Sequence, residues 1–93
     1  MVIGVLTIDV GIPGAFSLKE KRMIVNRIRD RVKHRYNVSI AEVDDNDIWN
    51  SACIGIVAVS NDQGHLNEML SKVVAFIETI RDCHIEDYQM EFI

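Results

Sequence analysis

The sequence predicts an α+β fold with the element order βαββαβ, on three observations. Short segments alternate apolar and polar residues at period two or run apolar over strand lengths. Two longer segments repeat their apolar residues at period 3.6. Capping or turn residues stand at the boundaries between them.

In order, Val2 to Val10 alternates as a strand does, with Leu6, Ile8 and Val10 on one side and Val5, Thr7 and Asp9 on the other. Gly11-Ile12-Pro13-Gly14 breaks it. Ser17-Leu18-Lys19-Glu20 is a capping box, whose hydroxyl and carboxylate satisfy backbone N–H groups that a helix start leaves without partners. On the helix that follows, residues 17–36, Leu18, Ile24, Val25, Ile28, Val32 and Tyr36 share about a third of the circumference, the width of a core-facing stripe. Asn37 to Val43 is β-rich, Asp44-Asp45-Asn46-Asp47 is a polar turn, and Ser51 to Ser60 is a strand apolar on both sides. That stretch reads as a hairpin with a long connection. Asn61 or Asp62 caps a second helix, whose stripe runs from Leu66 through Leu70, Val73 and Ile77 to Ile80. Ile85 to Ile93 alternates again, with Tyr88, Met90 and Phe92 opposite Asp87, Gln89 and Glu91. With right-handed crossovers the chain folds as one ferredoxin-like domain over residues 1–93. Its four-stranded antiparallel sheet has the order 4-1-3-2, with both helices on one face.

Ninety-three residues, 48% of them hydrophobic and 26% charged, suffice for one core and no more. The apolar runs are strand-sized, too short to cross a membrane. The start of the chain carries no basic region or cleavage site of a signal peptide. Two cysteines make no disulfide framework, so Cys53 and Cys83 are expected as reduced thiols in the cytoplasm, Cys53 buried.

The net charge of −4 hides an uneven distribution. Residues 17–36 hold eight basic and two acidic residues, a local +6 against −10 for the remainder. Lys19, Arg22, Asn26, Arg29 and Lys33 form a solvent-side stripe at helical spacing, and Arg27, Arg31 and Arg35 flank the other edge of the apolar arc. Several cations on one rigid element suit phosphate oxygens, so Lys19, Arg22, Arg27, Arg29, Arg31 and Lys33 are the candidate nucleic-acid contacts. A solvated helix face that serves only solubility is the plainer reading of the same charges.

Lys21 falls inside the apolar arc, where a cation needs a partner. Asp9 in a structural salt bridge, or an anionic ligand near the first loop, is the expected one. Gly14 ends a loop that leads into a helix start, a place where anions bind, although the spacing is not that of a phosphate-binding loop. Trp49 is either an exposed partner anchor or a ring folded over the hairpin end.

No catalytic constellation is present. The aspartates of the 44–47 turn fail the EF-hand spacing, His34, His65 and His84 are scattered, and no arginine stands in the first loop to hold a phosphate as in an acylphosphatase. The expectation is a protein that is not an enzyme and carries no cofactor or metal. The two central strands also lack the aromatics on which RNA-binding modules of this topology stack bases. That face, with Asp9, Asp87 and Glu91 pointing out, suits a protein contact better.

Ser17-Leu18-Lys19-Glu20-Lys21-Arg22, Asn37-Val38-Ser39-Ile40-Ala41-Glu42 and Asp47-Ile48-Trp49 resemble the YlxP-like family of small bacterial proteins of unknown function. The resemblance runs over nearly the whole chain. It implies the same ferredoxin-like fold, no assigned catalytic residue and, from genes that lie among translation and ribosome-maturation genes, an association with ribosomes. The position before the serine, often basic in the family, is Phe16 here, which moves the expected anion contact from the loop to the helix. The leading expectation is therefore a non-enzymatic accessory factor that binds ribosomal RNA or ribosomal particles through residues 17–36. The alternatives are an amino-acid-sensing module, on the similarity of Asp9 to Gly14 to the ligand loop of ACT-type domains, and a protein-interaction domain or homodimer built on the open sheet.

Overall fold

The structure, a computed structural model, describes residues 1–44 and 47–93; the expectation of a turn at Asp45 and Asn46 lies outside them. The elements are β1 (Val2–Gly11), α1 (Leu18–Arg35), β2 (Ser39–Asp44), β3 (Ser51–Ser60), α2 (Gln63–Glu78) and β4 (His84–Phe92). Every strand pair is antiparallel and the sheet order is β2-β3-β1-β4, the expected order read from the other edge. The fold is the ferredoxin-like sandwich.

Alternation decides which face meets the helices. Leu6, Ile8 and Val10 of β1 and Ala52, Ile54, Ile56 and Ala58 of β3 are buried beneath Ile24, Val25, Ile28 and Val32 of α1 and Leu66, Leu70, Val73 and Ile77 of α2. Gly4 lets α2 lie directly on β1: a Cβ there would stand 2.7 Å from Leu70 Cδ1 and 2.9 Å from Leu66 Cγ. The opposite face of the sheet is uncovered. There Ile3 and Val5 pair with Val59 and Val57, and Asp9 lies directly across from Asp87. Cys53, expected to be buried, is half-buried because its parity puts it on this open face beside Asp9.

Both helix starts follow from the sequence. Ser17 Oγ accepts the Glu20 N–H at 3.1 Å, while the Glu20 carboxylate reaches one residue further back and accepts the Phe16 N–H at 2.7 Å. Asp62 caps α2, accepting from Gly64 and His65. Lys33, His34 and Arg35 sit in the last turn of α1, where the helix dipole favours cations. Register shifts at Asp9/Val10 and Glu42/Asp44 fall at the same end of the sheet, beside the β1–α1 loop and the β2–β3 connection.

Candidate nucleic-acid interface

Among the described residues Lys21 is the one charged residue in the core, with 1% of its surface exposed. Its ammonium lies 2.7 Å from Glu42 Oε2 and donates a short hydrogen bond to the Ile48 carbonyl. The expected structural salt bridge is present with a different acid: Asp9 points from the far face of the sheet, and the counterion is Glu42, which shares the helix-facing parity of Ile40 on β2. The sequence did hold a signal for this pair, since one cation and one anion each occupy a core-facing position in otherwise apolar patterns. A desolvated charge is tolerable only with such a partner.

The remaining cations divide into those held and those available. Arg27 is held: it meets the Asp82 carboxylate at 3.1 Å and the Arg81 carbonyl, tying α1 to the α2–β4 turn. Asp82 adopts φ 70°, a left-handed conformation that aspartate accepts more readily than most residues. Arg35 lies 4.8 Å from the centre of the Phe76 ring, against which Tyr36 packs edge-on. Among the described residues the ion pair of Arg29 is with its neighbour Asp30, at 3.2 Å on the surface. Lys19, Arg22, Arg31 and Lys33 form no ion pair among the described residues.

The stripe of Lys19, Arg22, Asn26, Arg29 and Lys33 does not face plain solvent on all sides. It borders β2, an edge strand with one row of backbone groups left unpaired by the sheet. Between helix and strand opens a cleft of about 220 Å³. Val25, Ile40 and Ile54 form its apolar lining, and Arg22, Asn26, Arg29 and Glu42 its polar lining. The spacing of residues foretold the stripe but not the cleft, which depends on how far α1 stands from the sheet edge.

The other candidates are apart from this surface. Gly14 is exposed, has no positive φ, and a Cβ there would meet nothing within 4 Å, so nothing local requires glycine. Trp49 is 48% exposed; the backbone on either side of it is pinned, Ile48 by Lys21 and Asn50 by the Ile12 N–H at 2.9 Å. Cys83 is half-buried and burial pushes its thiol up from the ordinary 9.0, against the opposing pull of Arg27 and with a smaller push from Asp82. Among the described residues no three His, Cys, Asp or Glu side chains gather as a metal site. No helix among them is long and apolar enough to cross a membrane.

The three segments that carried the family resemblance thus meet at one atom: Lys21 from the first, Glu42 from the second and Ile48 from the third close around one ammonium. Residues 3–90 match the family described as a protein of unknown function, DUF503. The chain belongs to that family. It is 43% identical over 65 residues to "Uncharacterized protein YlxP" of Bacillus subtilis (strain 168), an alignment covering 70% of this chain and 71% of the relative. Among solved structures it is similar to LarC2, the C-terminal domain of a cyclometallase involved in the synthesis of the NPN cofactor of lactate racemase, in its apo form. That likeness has 13% identity and a TM-score of 0.42, covering all of this chain and 58% of the other. A likeness that remote says nothing of activity. Within DUF503, the buried Lys21–Glu42 pair and the α1–β2 cleft are the features of this chain that geometry singles out.

Proposed function

We propose that this DUF503 domain is a non-catalytic RNA-binding accessory factor of ribosomal particles, docking through the basic flank of α1. The observation that supports it most is the row of Lys19, Arg22, Arg29 and Lys33 on one side of a rigid helix. None is tied to the protein core by an ion pair among the described residues. In an otherwise acidic chain these cations concentrate attraction for phosphates on one surface. The gene setting that the family resemblance implies points the same way.

The test is co-sedimentation and filter binding with ribosomal particles and ribosomal RNA across a salt series. At the slope of single strands, three or four phosphate contacts give a weakening of roughly 20- to 50-fold between about 50 and 200 mM salt. Arg22→Glu, Arg29→Glu and Lys33→Glu should each weaken binding and flatten that dependence. Binding indifferent to salt and to all three changes would refute the reading.

A further inference from the structure

We propose that the α1–β2 cleft seats one unstacked nucleobase, so that the RNA taken by this domain is single-stranded. This rests on the RNA-binding reading above and adds the class of substrate and the place of its base. Three kinds of contact that a nucleotide needs meet here. Val25, Ile40 and Ile54 offer an apolar surface to a ring face. Arg22 and Arg29 bracket it, two helical turns and about 10 Å apart along the axis, and so can take phosphates on either side of one base. Groups able to read a base edge stand between them: the Asn26 amide and the Glu42 carboxylate.

The buried lysine makes the acid at this site compatible with RNA. With Lys21 against its Oε2, the Glu42 carboxylate is neutralised where it stands, and the cleft keeps the positive charge of Arg22 and Arg29.

A duplex cannot use such a cleft, because its bases are stacked inward and the deep groove of A-form RNA admits no side chain. A splayed base in a single strand or loop can. The open sheet is a poor alternative platform, since β1 and β3 present Ile3, Val5, Val57 and Val59 there with no aromatic ring and with Asp9 and Asp87 at the side.

The experiment is fluorescence anisotropy with the full chain, a labelled single-stranded oligoribonucleotide of mixed sequence, and a blunt RNA duplex of equal length. The single strand is expected to bind at least tenfold tighter. Asn26→Leu, an exposed position where the fold is kept, should weaken single-strand binding about tenfold at an unchanged salt slope. Arg22→Glu should flatten the slope instead. Equal or tighter duplex binding, or an Asn26→Leu variant that binds like the parent, overturns the base seat and leaves salt-dependent RNA binding standing. No binding of either RNA overturns both. An acidic extended peptide that binds the same edge and is not displaced by single-stranded RNA assigns the cleft to protein and overturns the seat.

Discussion

Replacing Lys21 with methionine isolates the contribution of the buried pair. The lysine side chain is 1% exposed and that of Glu42 19%. Removing the ammonium leaves a largely buried carboxylate without a counterion and the Ile48 carbonyl without this donor. Breaking one side of such a pair costs about 3–5 kcal/mol. Glu42 keeps some access to water, so the low end, about 3 kcal/mol, applies. In a domain with roughly 5–15 kcal/mol of stability this is a large fraction. It corresponds to a urea midpoint about 1–3 M lower and a Tm about 12–24 °C lower. Lys21→Met combined with Glu42→Leu removes both charges and leaves mainly the Ile48 carbonyl to lose its donor, a cost of about 1–3 kcal/mol. The double variant is therefore expected to be more stable than the single one. A Lys21→Met protein within about 1 kcal/mol of the parent, or a double variant no better than the single, would refute the argument that desolvation of an unmatched acid sets the loss.

Two further expectations concern packing and titration. Gly4→Ala drives a methyl into Leu66 and Leu70, both buried, and should cost about 1–3 kcal/mol by urea unfolding, whereas Gly14→Ala meets open space and should leave the midpoint unchanged. Cys83, whose thiol burial pushes above its ordinary 9.0, contributes stability fully below pH 9.0. As pH rises through the raised value that contribution is lost, because the unfolded chain releases the proton first. Urea midpoints should fall above pH 9.0, the fall should be shallower in Cys83→Ser, and alkylation of Cys83 at neutral pH should be slower than that of a free thiol.

The fold was legible because its signals are local and mutually consistent. The Ser17 and Asp62 caps, the period of Ile24 to Val32 and the alternation of Leu6 to Val10 each act within a turn or two of chain. The partner of Lys21 was not legible from the helix alone. Its ammonium meets an acid 21 positions away, and that meeting depends on the strand order and on where β2 lies beneath α1. Arg27 is a similar case: its spacing matched the free arginines, yet the turn after α2 brings Asp82 to it. Charge on a helix can be counted from sequence. Which charges are already neutralised is a property of the packing.

That distinction bears on what the family signature means. Lys21, Glu42 and Ile48 belong to the segments by which the chain is recognised, yet the Lys21 ammonium, the Glu42 carboxylate and the Ile48 carbonyl are engaged with one another. A buried ion pair contributes little net stability over a well-packed apolar substitute, but an unmatched member is strongly disfavoured. Such a pair therefore constrains placement more than it adds strength. Here it ties the first turns of α1 to β2 and to the connection that follows, at one end of the cleft that Arg22, Asn26 and Arg29 line. The recognisable residues need not be the ones that touch a partner. They tie the helix to the strand at one end of the cleft, and in the reading proposed above Arg22 of the same segment, with Asn26 and Arg29 further along the helix, is what meets the RNA.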